Sequence, residues 1–326
     1  MIDRAIALVH SVLPLLPRSH KEHIGCVQDL VDLRYGRYEQ SHDKEDLDKS
    51  IVHCTEAILL LPVSRDVPYS KNAFRLLFRL AQSLLERSRE FNQLEDIKYA
   101  IKYLQYLRGL PVHSIHVPRI DLTAYLILGL TEAIRVESDG THNIDEMLIL
   151  FREFLAFDLS AGFPEEVFLF LNVAVNAEYR RGHVESLEAV IECLRDAVKI
   201  CPPDSLLVLF SLAIVLHIRF MESHSNDDYE ESMALFERVK DTSQPGECPD
   251  FIRNSASPHA AFLAFDRTTF FKNPEYSEAT ISRLRIELGS SVDTRDRVRL
   301  ADNLASLVND RSKQYYLPEV LEEAKS

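Results

Sequence analysis

Two histidine pairs have the three-residue spacing that sets side chains on one face of a helix, His20 with His23 and His113 with His116. Each pair supplies half of a tetrahedral zinc site, and the remaining ligands would have to come from elsewhere in the chain. His113 and His116 lie between Pro111 and Pro118, which marks a loop, so solvated histidines are expected. His53 stands beside Cys54, but adjacent helical residues point about 100° apart and cannot work together as base and nucleophile. Cys54 therefore reads as a core residue. Asp227, Asp228, Glu230 and Glu231 lack the spacing and the glycine of a calcium loop, leaving a helix start with a solvated acidic face. There is no G-x-G-x-x-G, phosphate loop, H-E-x-x-H or G-x-S-x-G motif. No catalytic, cofactor-binding or metal-binding residue is expected, and the chain reads as no enzyme.

The composition limits the partners. With 51 acidic against 37 basic residues the formal charge is -14, a field that repels phosphate backbones and anionic lipid; no nucleic-acid and no membrane partner is expected. The longest apolar stretch, Leu206 to Leu216, has 11 residues, against the roughly 20 of a bilayer span. Five cysteines, an odd number without a C-x-x-C pair, and the absence of any N-x-[ST] sequon fit a reduced cytoplasmic setting. Nine glycines in 326 residues are too few for a protein built on β-hairpins.

The elements emerge from an internal repeat. From an anchor at Ser50, a small or apolar residue follows at +4 (Cys54), another at +7 (Ala57) and proline at +12 (Pro62). The same ruler fits Ala5 to Pro17 and Val190 to Pro202, and more loosely the segments anchored at Ala100, Leu150, Ser232 and Ala279. Before these segments runs a second pattern, a small or compact residue with arginine six positions later: Val31 and Arg37, Ala81 and Arg87, Gly129 and Arg135, Ala174 and Arg180, Ala213 and Arg219, Ala261 and Arg267, Ala305 and Arg311. Apolar residues in both recur at helical period, as in Leu76, Leu77, Leu80 and Leu84. The unit is a helical hairpin: small residues let its two helices approach closely, and proline stops the second helix. The recurrent arginine falls near the end of the first helix, where the helix dipole favours a cation.

Small residues at two packing positions, alanine or an equivalent seven further on, and proline twelve further on resemble the tetratricopeptide repeat. Helix starts such as DLDKSI and IDRAI look like the long-loop arrays of fungal proteins, where a caspase-like CHAT or nucleotide-switching NACHT module often adjoins the repeats. The resemblance implies an all-α, right-handed α-solenoid of about seven antiparallel helical hairpins, roughly 20–62, 69–110, 118–160, 164–202, 204–241, 257–289 and 294–326. Residues 1–17 would be an unpaired second helix, 242–256 an irregular connector, and 321–326 a second helix that stops after one turn. The period of about 46 and the absence of tryptophan depart from the family. The unpaired ends suggest a piece of a longer protein.

The resemblance further implies a non-enzymatic scaffold that binds a peptide or protein partner on the concave face, lined by the first helices. The alternative is the sensor array of a larger fungal signalling protein. Carried onto this sequence, the groove positions are Gln28, Asp32 and Tyr35; Phe78, Gln82 and Glu86; Leu126, Leu130 and Ile134; Leu171, Val175, Glu178 and Tyr179; Phe210, Ile214, His217 and Ile218; and Phe262, Phe265 and Asp266. The mostly apolar middle of this set would suit an amphipathic helix or extended peptide, or would be buried by a neighbouring element. The basic clamp by which some family members hold an acidic tail is not reproduced at these positions.

Overall fold

Among the described residues, four other than glycine adopt the left-handed conformation, His42, Asn92, His224 and Lys272, with φ of 53°, 57°, 55° and 48°. Each ends a long helix and closes it with a backbone N–H donated to the carbonyl four residues back: Tyr38, Ser88, Phe220 and Thr268. Each also stands five residues after a recurrent arginine. The turn between paired helices is thus the same structure repeated four times, built with histidine, asparagine or lysine where glycine is the usual choice.

The computed structural model describes residues 1–18, 20–60, 71–110, 119–136, 144–157, 166–202, 205–242, 250–272, 274–291 and 293–323, without the side chains of 21, 71, 250, 251, 253, 274, 275 and 311–323. Among the described residues the regular structure is helical. In order the helices are α1 (Ile2–Val12), followed by a 3-10 turn (Leu13–Leu15), α2 (Lys21–Ser41), α3 (Lys44–Leu60), α4 (Lys71–Phe91), α5 (Leu94–Arg108), α6 (Arg119–Val136), α7 (Ile144–Leu155), α8 (Val167–Arg180), α9 (Leu187–Ile200), α10 (Leu206–Ser223), α11 (Asn226–Thr242), α12 (Asp250–Phe271), α13 (Pro274–Ser290) and α14 (Thr294–Glu323).

The chain divides into two compact units, residues 1–177 and 178–326. In the first, consecutive helices from α1 to α7 pack on one another, and α2, α4 and α6 also touch in turn. In the second the same holds from α9 to α14, with α10, α12 and α14 also touching in turn. This sequential packing is that of a helical repeat.

The small residues are at the contacts. Ser232 of α11, 0% exposed, donates its Oγ–H to the Ala213 carbonyl of α10 at 2.8 Å, so the two anchors of that hairpin meet directly. Gly129 of α6 faces backward instead: a Cβ there would lie 3.0 Å from Ile101 Cγ1 of α5 and 3.6 Å from Leu85 Cδ2 of α4. The small residue of a first helix therefore also admits the preceding hairpin. Phe74, Phe151, Phe154 and Phe168 are fully buried in the first unit; Phe220, Phe236 and Phe262 are in the second.

Two segments differ from expectation. Residues 250–256, assigned to an irregular connector, belong to α12, and Pro258 lies inside that helix. Ile252, Ala256 and Ala260 form one buried stripe, and this apolar face carries the helix through the proline. Residues 294–326, read as a hairpin, contain the single helix α14. There the turn chemistry is missing: five and nine positions after Arg311 stand Tyr316 and Val320, with no left-handed residue among the described ones. α10 is long and apolar enough to cross a bilayer by length and composition, which the count from Leu206 to Leu216 did not suggest, but most of it is buried among its neighbours. Pro62, Pro111, His113, His116 and Cys248 lie outside the described residues.

Candidate functional site

Among the described residues, His20, His23, His53, Cys54 and the acids Asp228, Glu230 and Glu231 are engaged in caps, packing or ion pairs. His20 caps α2, its Nδ1 accepting the Glu22 N–H at 3.2 Å, and buried His23 meets the Leu16 carbonyl through Nδ1 at 3.0 Å. Cys54 is fully buried, and burial pushes its thiol up to about 12, far from a thiolate nucleophile. His53 packs its ring against His10, and burial holds its pKa down. The acidic run of α11 separates toward three arginines: Asp228 to Arg219, Glu230 to Arg267 and Glu231 to Arg195.

These pairs belong to a recurring clasp. Nine positions after the arginine stands an aspartate, third in the second helix: Asp46, Asp96 and Asp228. Its two oxygens accept from Nε and Nη2 of the arginine, at 2.5 and 2.5 Å for Arg37, 2.6 and 2.9 Å for Arg87, 2.9 and 2.5 Å for Arg219. The remaining Nη1 reaches an acid two positions before the anchor of the preceding second helix: Asp3, Asp48 and Glu188 for these three, and Glu230 for Arg267. One guanidinium thus ties three helices, using the fork geometry that suits bidentate carboxylate binding. Asp46 is nearly inaccessible; burial raises its pKa, but the guanidiniums of Arg37 and Arg34 hold it below the usual carboxylate range. Before the anchor Ala100 stands Lys98 instead of an acid, and nine after Arg135 stands Ile144 instead of an aspartate; Arg135 there pairs with Glu132 in its own helix.

In the first unit a cavity of about 480 Å³ opens on the first helices, lined by Phe78, Gln82, Glu86 and Arg89 of α4, Asp121, Ala124, Tyr125 and Leu128 of α6, and Glu166, Val167 and Phe170 at the start of α8. Phe78 meets Tyr125 edge to face, centroids 5.4 Å apart, and Gln82 hydrogen-bonds the Tyr125 hydroxyl. Arg89 donates to Glu86 at 3.5 Å and lies 3.6 Å from Glu132. Burial raises the pKa of Glu86, Asp121 and Tyr125. Three carboxylates, Glu86, Asp121 and Glu166, share this cavity with one arginine that already has acidic partners.

The chain matches no family model and no curated protein.

The expected groove residues fall into four groups. Phe78, Gln82 and Glu86 do come together at this cavity. Leu126, Leu130, Ile134, Leu171, Val175, Phe210 and Phe262 are core residues, each no more than 4% exposed. On α6 the lining positions are Asp121, Ala124, Tyr125 and Leu128, none of them expected, because α6 is buried almost all round and its pattern does not reveal which side faces α4. The third group makes polar or aromatic contacts elsewhere. Tyr35 lies buried beneath Arg79, 4.3 Å from its ring centroid, and Asp32 pairs with the same arginine. Tyr179 hydrogen-bonds Glu222, and Glu178 holds Arg181 and His183. His217 Nε2 is 2.8 Å from Asp266 Oδ2. Gln28, Ile214 and Phe265 are half-buried, and Ile218 is buried. The clasp aspartates were missed although each of the recurrent Arg37, Arg87 and Arg219 has an aspartate nine positions later.

Proposed function

We propose that the chain is a non-enzymatic binding scaffold, a right-handed tetratricopeptide-like solenoid, and that the cavity on α4, α6 and α8 is where it holds a peptide or protein partner in the cytoplasm. The observation behind this reading is the convergence of Phe78, Tyr125 and Leu128 with Glu86, Asp121 and Glu166 around one open cavity. Its size falls within the range of ligand sites of about 300–1,000 Å³, where an apolar lining surrounds a few placed polar groups. The ligand that complements it is a peptide presenting an apolar side chain beside a basic one, the apolar group against Phe78 and Tyr125 and the cation among the three carboxylates. No nucleic-acid or membrane partner is part of this reading, consistent with the charge of -14.

Substituting Leu130, a fully buried residue, would test folding rather than binding. The informative experiment selects peptides from a display library on the immobilised full chain, then measures them against Tyr125→Ala, Glu86→Lys and, as a control on the opposite helix series, Tyr99→Ala, an exposed residue of α5. Enriched peptides should carry Lys or Arg next to an apolar residue and should lose at least roughly tenfold in affinity with the first two variants. Undiminished binding to both, or loss only with Tyr99→Ala, would overturn the assignment.

A further inference from the structure

At Arg267 the clasp is half-made: the acid before the preceding anchor is present and the aspartate is not. Nine positions after Arg267 the sequence has Tyr276, where the hairpins of Arg37, Arg87 and Arg219 have aspartate. The consequences are local and specific. Arg267 keeps the contact of its Nη1 with the preceding second helix, to Glu230 at 3.3 Å. Its Nη2 donates to Asn226 Oδ1 at 2.8 Å and lies 3.4 Å from the Tyr276 hydroxyl. Its Nε, the atom that binds the aspartate on Arg37, Arg87 and Arg219, is buried and finds no acceptor among the described residues. A buried donor in that condition is costly.

Beside it the structure contains a cavity of about 250 Å³ lined by Tyr229, Met233, Ala264, Arg267, Thr268, Tyr276, Ala279, Thr280 and Arg283. The Arg267 guanidinium is stacked between two of these rings, 4.0 Å from the Tyr229 centroid and 4.3 Å from that of Tyr276, which fixes its plane. The second guanidinium, Arg283, reaches Glu237 through Nη2 at 2.5 Å and the Met233 sulfur through Nη1 at 2.9 Å. Thr268 and Thr280 place their hydroxyls 2.8 Å apart, and both turn to the Ala264 carbonyl.

We infer that this cavity between α11, α12 and α13 binds a carboxylate supplied from outside the repeat, held by Arg267 in place of the missing aspartate, with Arg283 as the second charge. The internal comparison carries the inference: Arg37, Arg87 and Arg219 each hold two acids at once, one through Nη1 and one through the Nε–Nη2 edge. Arg267 holds only the first. The cavity accommodates a small dicarboxylate or the carboxylate side chain of a peptide. This site lies in the second unit and is independent of the groove on the first.

The experiment follows the Arg267 Nε–H signal in a nitrogen-15 side-chain spectrum of the full chain, assigned by its disappearance in Arg267→Lys. One arm titrates succinate and the other an end-blocked glutamate-rich peptide, each against chloride at equal ionic strength. A saturable shift of that signal is expected in at least one arm, and which arm responds identifies a free or a peptide-borne carboxylate. Arg283→Gln should weaken the response by roughly tenfold. Tyr276→Asp should abolish it and raise the melting temperature of the unliganded chain, because the variant carries its own carboxylate. No saturable shift in either arm, or a shift that persists unchanged in Tyr276→Asp, would overturn the inference. The Nε–H readout on folded wild-type protein remains decisive even where a variant folds poorly.

Discussion

Asp228 and Glu231 stand three residues apart on α11, and both bind arginine. Asp228 is buried and bidentate to Arg219, whereas Glu231 and its partner Arg195 are 37% and 40% exposed. Removing Asp228 leaves Arg219, still held by Glu188, with its Nε–Nη2 edge unpaired, a loss of about 1–3 kcal/mol, while an exposed pair contributes roughly 0.2–1 kcal/mol. Asp228→Ala is therefore expected to lower the urea midpoint clearly, and Glu231→Ala to leave it nearly unchanged. A second residue-scale prediction concerns His259, enclosed by Phe210, Phe236 and Phe262. Burial lowers its pKa to about 4, despite the Ser255 carbonyl accepting from Nδ1, and His217 and Arg299 press in the same direction. The unfolded chain, with an ordinary value of about 6.5, takes up the proton first. Stability from this group is thus complete above about pH 6.5 and declines as the pH falls toward 4, by on the order of 3 kcal/mol. Urea unfolding at pH 7 and 4.5 should show that decline in the wild type and a reduced decline in His259→Gln.

At the scale of elements, the helices and their packing in chain order were legible, the last segment excepted, because a helix that buries one face must repeat its apolar residues at a fixed period, as α4 does from Leu76 to Leu84. The small anchors could be read for the same reason, since Ala213 and Ser232 are at an actual contact. The turns were not legible. They rest on left-handed residues that carry side chains, which no single residue type announces, and on a clasp whose partners are nine and more than thirty positions apart. Nor was the rotation of α6 about its axis, which selects Tyr125 over Leu126 for the cavity. The turn itself yields a prediction. Lys272 is exposed and holds φ at 48°, a conformation that disfavours a Cβ by about 1–2 kcal/mol. Lys272→Gly should raise the melting temperature, by an amount corresponding to less than about 1 kcal/mol once the greater freedom of glycine in the unfolded chain is offset. A lower melting temperature would show that the turn is held by the lysine side chain.

For the molecule as a whole, each unit is built by sequential stacking, so each helix depends mainly on its neighbours along the chain. The strongly apolar α10 fits this arrangement as a core helix enclosed by others. Function on such a framework resides in surfaces, and the account rests on one of them, the cavity of the first helices in the first unit. The direct test is hydrogen–deuterium exchange of the full chain with and without a peptide selected by display. Slowed exchange is predicted in α4 and in the opening turns of α6 and α8, around Asp121, Tyr125 and Val167. Slowed exchange confined to α3, α5 and α7, with α4 unchanged, would contradict it.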